Sequence, residues 1–487
     1  MARFWLLTSN FYFHFSCHWS LVTGFNAMKV THTIVALVIL LALGGVFYYL
    51  NQQPAPASSS EGAKKKLFVF QPDQVEEFTI ETADQPPAAF RRVAAAATPG
   101  AKPEDKSAAQ WEVVSPAGVA ADGSQIQSFL EGLPNSEYTP IEGDTPLPPS
   151  EYGLEKPQKT FRFKLKGGQT VALSIGKENP TGSDKFGKLD SAPGVFLLGT
   201  YDTTALQKTL FDLRDKRLFP IAMDKAQQIE LALPVRPGRI VLTKQASGNW
   251  ELAEPAVRAD FSNSNYFVTT LSGAQMKSAE EETPKSLNRY GLDRPEIRLT
   301  VKTADGSTTL LIGNKASGEG VSYYAQNSVW PVVFTITQAL YDQLKQDLDS
   351  YRNRFLFDFQ TTNTRRVELL SAQGEMRLDK RGEEWFRTGT PEKKLDASKV
   401  EDFLNSVHNL RIQQFTSDKP GQLAQYGLDK PWLRVKVTFG EGNKEETILF
   451  ARKDKRFYAS RQGENSVYEM APNEPENLEP KVKDLAS

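Results

Sequence analysis

One six-residue stretch occurs three times and constrains everything else: Tyr152-Gly153-Leu154-Glu155-Lys156-Pro157, Tyr290-Gly291-Leu292-Asp293-Arg294-Pro295 and Tyr426-Gly427-Leu428-Asp429-Lys430-Pro431. The copies stand 138 and 136 residues apart, so one unit is used three times. A unit of that size can bury its own core, whereas stacked solenoid repeats run to about 20–50 residues. Length agrees, since 487 residues hold about three domains of ordinary size. The expected modules are 67–219, 220–357 and 358–487, with 51–66 as a Pro/Ala/Ser-rich flexible linker before them.

Inside each unit the apolar residues alternate, as in half-buried strands. Val75–Ile80, Gln228–Leu231 and Arg366–Leu369 open the copies, and Phe90–Val93, Ile240–Thr243 and Met376–Leu378 follow. A tryptophan starts the third strand (Trp111, Trp250, Trp385) and reads as a core anchor. Next comes an amphipathic helix headed by Asp122, Asp260 or Asp396, each 30 residues before its tyrosine. An aspartate there accepts hydrogen bonds from the free amides of the first helical turn. A hairpin and two short strands follow the Tyr-Gly-Leu turn. In that turn glycine supplies a positive φ, Tyr and Leu anchor on the cores of the two halves, and the acid–base pair faces water. Pro157, Pro295 and Pro431 then fix the start of the next strand.

The first two copies close with a helix (Thr204–Asp215, Thr337–Tyr351) and a basic, apolar segment, Arg214–Phe219 or Arg352–Phe357. Each segment starts 62 residues after its tyrosine; in the third copy that position would be residue 488, so the segment reads as a linker between modules. The whole pattern predicts α+β modules, each mainly antiparallel strand with two helices.

Residue inventory excludes much chemistry. Cys17 is the only cysteine, and beyond residue 32 the single histidine is His408. No disulfide framework, Cys/His zinc site, Cys nucleophile or repeated Ser-His pair can be built from that. No metal and no cofactor is expected. A net charge of −1 argues against a nucleic-acid partner. The loose candidates for paired-carboxylate chemistry are Glu280-Glu281-Glu282, Asp347 and Asp349, which have no counterparts across the copies and read as solvated faces. His408 stands late in a helix, where a cationic ring interacts favourably with the carboxyl end.

Thr33 to Leu50 is an uncharged apolar run of eighteen residues, at the short end of what spans a bilayer. Phe47, Tyr48 and Tyr49 suit the aromatic belt at its far end. A single transmembrane helix at 33–50 is expected. Residues 1–32 form the segment before it. Of these, 1–27, with His14, Cys17 and His18, read as an over-extended start ahead of Met28-Lys29. Ala55-Pro56-Ala57 has the form of a processing site, but its prolines and distance from the run favour an uncleaved anchor. Lys64-Lys65-Lys66 reads as a solvated linker end able to meet anionic lipid. The short amino end is the easier one to retain, so residues 67–487 are expected outside the inner (cytoplasmic) membrane.

On these residues the chain resembles the domain of unknown function 4340 family. The motif after a helix is matched by Tyr152 to Pro157 and Tyr290 to Pro295. The isoleucine-glycine pair ending the hairpin is matched by Ile175-Gly176 and Ile312-Gly313. Copy three departs, with Leu449-Phe450 where Ile-Gly is expected. The family has no established activity. Its members look like membrane-anchored envelope proteins, often encoded beside ABC-type transporters of the gliding-motility or polysaccharide-export kind. The resemblance implies a non-catalytic, membrane-tethered protein that presents repeated modules to a protein partner, such as transporter subunits, or to an envelope polymer. The alternative is a carboxylate-dependent enzyme acting on envelope polysaccharide.

Overall fold

The computed structural model describes residues 64–487 apart from 84, 94–109, 142–146, 193, 234–237, 319, 420 and 422. The apolar run 33–50 and the segments around it up to residue 63 lie outside the described residues. Among the described residues no helix is long and apolar enough to cross a membrane.

The described chain forms three nine-stranded antiparallel sheets and seven α-helices. The middle module shows the plan. Its first strands, Gln228–Ala232, Arg239–Lys244 and Trp250–Glu254, form a meander. The helix Phe261–Gly273 then carries the chain across one face to the opposite edge, where Ser278–Glu281 pairs with Val333–Thr337. Past the Tyr-Gly-Leu turn, Ile297–Thr303 returns to the middle and pairs with the first strand, placing Leu231 opposite Leu299. Gly306–Lys315, Ser322–Asn327 and Val333–Thr337 complete the sheet. The third module repeats this strand order in full. The two halves expected on either side of the turn are therefore one continuous sheet.

Alternation along these central strands places one face in the core. Ile229 and Leu231, Leu299 and Val301, and Leu310 and Ile312 are all buried, and they pack with Phe267 and Leu271 of the helix. Full burial of each such side chain contributes about 1.5–3 kcal/mol. Trp111, Trp250 and Trp385 lie in the three cores. The aspartates head their helices: Asp122 accepts from the amides of Ser124 (3.0 Å) and Gln125 (3.1 Å), Asp260 from Asn263 (2.8 Å), and Asp396 from Ser398 (2.9 Å).

Three expectations change. The closing helix of module one is two short pieces, Thr200–Ala205 and Leu210–Leu213, because Thr209 and Asp212 cap a new start. That of module two ends at Leu344, followed by the tight turn Leu348–Ser350. Module three also has a closing helix, Glu474–Ala486, which the sequence reading omitted; its Leu478, Val482 and Leu485 are buried.

Candidate functional site

The Tyr-Gly-Leu turns are built alike. Each follows a 3₁₀ turn ending at the tyrosine, and Gly153, Gly291 and Gly427 take φ of +68°, +71° and +73°. The following leucine amide returns to a carbonyl five residues back: Leu154 to Pro149 (2.9 Å), Leu292 to Leu287 (3.2 Å) and Leu428 to Leu423 (3.0 Å). That is the left-handed closure that glycine permits at a helix end. The tyrosine ring meets an aromatic edge at 4.9 Å from Phe186, 4.9 Å from Tyr324 and 5.0 Å from Tyr458. Tyr290 and Leu292 pack with Val333 in a small cluster apart from the main core, and Leu428 does the same with Ala451, Tyr458 and Val467. The motif therefore anchors on a secondary cluster of the sheet's second half rather than on both halves. The acid and base are exposed in all three copies.

Gly176 and Gly313 lie against these turns. A Cβ on either would stand 2.1 or 2.2 Å from the carbonyl oxygen of Tyr152 or Tyr290. Strand register corrects the third copy. Ile175, Ile312 and Phe450 are equivalent, opposite Lys159, Ile297 and Leu433, so Phe450-Ala451 replaces Ile-Gly. The one-residue offset comes from a longer hairpin turn.

The two basic segments are engaged on both sides. Arg214–Phe219 runs between modules one and two as a strand-like bridge. Asp215 donates to Ala120 O (2.8 Å), and Asp122 donates to Leu213 O (2.9 Å) on the near side. On the far side Leu218 donates to Ala274 O (3.0 Å), and Met276 donates to Lys216 O (2.8 Å). Leu218 and Phe219 are buried in the core of module two, and Leu356 and Phe357 in that of module three. In packing terms the module boundaries fall a few residues before 219 and 357. Module one has its own version: Lys65–Lys66, placed in the linker by composition, pairs with Glu137 and Tyr138 as the ninth strand, and Leu67, Phe68 and Phe70 are buried.

Each bridge also carries a buried arginine. Arg214 is 2% exposed and donates to Glu282 (2.6 Å) of the next module. Arg352 is 3% exposed and grips Asp418 of the next module with two bonds of 2.9 and 2.7 Å. Its guanidinium lies 3.8 Å from the centre of the Phe415 ring, and Ser466 joins the same carboxylate (2.7 Å). Bidentate pairs of this kind fix orientation as well as energy. The sequence held an unread signal here: an acid, Asp144, Glu282 or Asp418, stands eight residues before each tyrosine.

The acids considered for catalysis have structural partners. Glu282 holds Arg214, Glu281 bonds Arg289 and the Tyr290 hydroxyl, and Glu280 accepts from Ser278 (2.7 Å). Burial pushes Asp349 above the ordinary carboxylate range, with Arg352 pulling it back. His408 ends its helix with its ring 5.5 Å from that of Phe359. Among the described residues no group of three His, Cys, Asp or Glu could hold a metal ion. A cleft of about 730 Å³ opens between modules two and three, and its Asp358, Asp418 and Glu464 are all paired with Arg258, Arg352 or Arg461.

These features define a class: tandem antiparallel-sheet modules, each latched to the next by a buried arginine. The family model described as domain of unknown function (DUF4340) matches residues 111–257, 250–419 and 385–487. The chain belongs to that family, in three tandem copies. Each match begins at the anchor tryptophan, and the first two run on through the bridge into the following module. No curated protein and no solved structure matches the chain.

Proposed function

We propose that this is a non-catalytic, membrane-tethered envelope protein whose three modules are held in fixed succession as a surface for a protein partner. The observation that carries this reading is the latch. Arg214 and Arg352 are buried at equivalent positions and tie each module to the next. Arrayed modules gain avidity when their spacing matches the partner's sites, and stiff junctions keep that spacing. The apolar run 33–50 supplies the tether, and an ABC-type transport system is the proposed partner. The engagement of Glu281 and Glu282 in ion pairs weighs against the carboxylate-enzyme alternative.

Recovery of the tagged full-length chain from its native membrane in mild detergent, read by mass spectrometry, tests the reading. Transporter subunits or envelope factors are expected in the eluate, and their absence would sink it. Alkaline phosphatase fused after residue 66 should be active; an inactive fusion would place the modules on the cytoplasmic side.

A further inference from the structure

The middle module carries a second, separate pocket of about 420 Å³. That volume falls within the roughly 300–1,000 Å³ of small-molecule sites. One wall is a single face of the helix Phe261–Gly273, since Asn263, Tyr266, Phe267 and Thr270 recur at helical spacing. The other wall is Gln343 and Gln346, followed by Asp349 to Tyr351 of the turn before the bridge.

The chemistry of these walls is specific. Tyr266 is 62% exposed and offers a ring at the rim, held by a bond from the Gln343 amide to its hydroxyl (2.9 Å). Asn263 and Gln343 use their amide nitrogens as donors, and among the described residues no hydrogen bond engages their amide oxygens or the Thr270 hydroxyl, which leaves those oxygens for a ligand. One acid and one base line the pocket, Asp349 and Arg354, and Arg354 already donates to the carbonyls of Ile412 and Gln413. Tyr351 is 3% exposed, and its buried hydroxyl has no hydrogen-bond partner among the described residues. Buried tyrosine hydroxyls ordinarily find one.

The same positions are filled differently in module one. At the equivalent positions of module one stand Ser128 for Tyr266, Ala205 for Gln343, Phe211 for Asp349 and Leu213 for Tyr351. At these four positions the middle module has two tyrosines, an amide and an acid where module one has small or apolar side chains. A charged ligand would find no net charge there. A flat ligand with an apolar face and several hydroxyls would find a ring to lie on and planar amides to bond.

We propose that this pocket binds a neutral sugar, one ring face against Tyr266 and its hydroxyls bonded by Asn263, Thr270 and Gln343. The site stands whether or not the chain is tethered or meets a transporter. The test uses the full-length chain in phosphatidylcholine nanodiscs, free of sugar-based detergent. Saturation-transfer NMR is recorded with N-acetylglucosamine, galactose and maltose as probes. Transfer to at least one of them is expected, and removal of the stacking ring in Tyr266→Ala should weaken it about tenfold. Tyr266→Trp should retain binding, which guards against a folding defect in the alanine variant. Tyr201→Ala, at an exposed tyrosine of module one, should change nothing. The proposal is overturned by no transfer to any of the three sugars. Transfer that survives Tyr266→Ala combined with Gln343→Ala, or that is lost in Tyr201→Ala, overturns it equally.

Discussion

The two junctions share a plan and differ in their side chains. At the first, Arg214 meets Glu282 through one bond, and the flanking Asp215 pairs with Arg217 inside the bridge itself. At the second, Arg352 is gripped through both oxygens of Asp418 and supported by Ser466 and Phe415. Around it Arg258 reaches Asp358 and Glu464, and Arg461 reaches Glu446, Asp358 and Glu464. Strand register shows which positions correspond. Asn327, opposite Leu310, and Arg461, opposite Ile448, are equivalent, and each donates to the bridge leucine carbonyl, Leu218 O (3.1 Å) or Leu356 O (3.0 Å). A guanidinium has more donors than an amide, and those of Arg461 also reach Glu446 and Asp358. The lesson is that the two junctions share their backbone pairing, whereas their side-chain networks differ in extent.

The comparison can be broken most forcefully at Arg352. Arg352→Ala leaves Asp418 without its partner and is expected to cost about 3 kcal/mol, read as an earlier urea transition of module three in the full chain. Arg214→Ala should cost less, about 2 kcal/mol, because one bond to the acid is lost rather than two. Equal losses at the two sites would show the junctions to be equivalent. A double-mutant cycle on Arg214 and Glu282 isolates their coupling.

The repeated turns give a second contrast. Valine at Gly291 faces both the positive φ and Asn314, whose side-chain oxygen would lie 2.4 Å from its Cβ. Gly291→Val is therefore expected to cost about 2–3 kcal/mol. At Gly427 the nearest atom is the Ala451 Cβ at 3.7 Å, so Gly427→Val should cost about 1–2 kcal/mol, from φ alone. Thermal unfolding of each variant ranks them, and a reversed order would refute the packing argument.

Module three should also differ in acid. Burial opposes ionisation of Asp379, but bonds from Arg366, Arg377 and Thr388 outweigh it and hold its carboxyl down to about 2. A depressed acid stabilises the fold above its unfolded value and loses that contribution as pH falls through the folded one. The contribution is about 1–2 kcal/mol after allowance for partial exposure, lost between roughly pH 4 and 2. Thr243 stands at the equivalent position of module two, and Asp379→Asn should flatten the difference between the modules' acid melts. The smallest effect belongs to Tyr290→Phe. It removes the hydroxyl bond to Glu281 (2.8 Å) and should cost about 1 kcal/mol, while Tyr426→Phe costs almost nothing.

What was legible in the sequence was local. Asp122, Asp260 and Asp396 cap helices through contacts two or three residues away, and Gly291 declares its φ by being glycine between Tyr and Leu. Trp250 lies on an alternating strand, so its burial followed from the pattern. The junction chemistry spans 68 residues from Arg214 to Glu282 and 66 from Arg352 to Asp418, distances at which periodicity carries no information. The closing helix of module three is disguised in the sequence by Pro475 and Pro480, although Pro475 falls in the first turn, where proline is tolerated. The pocket of the middle module was hidden for a different reason: its walls come from two segments about 80 residues apart that are polar enough to pass for surface.

The bridge has a consequence for how such a chain can grow. The arginine stands at the close of one unit, while its acid stands eight residues before the tyrosine of the next. A tandem duplication of one full period, wherever it begins, therefore copies a donor and an acceptor already in register. Lengthening the array demands no newly evolved contact surface, and each inserted unit arrives with its fastening at both ends.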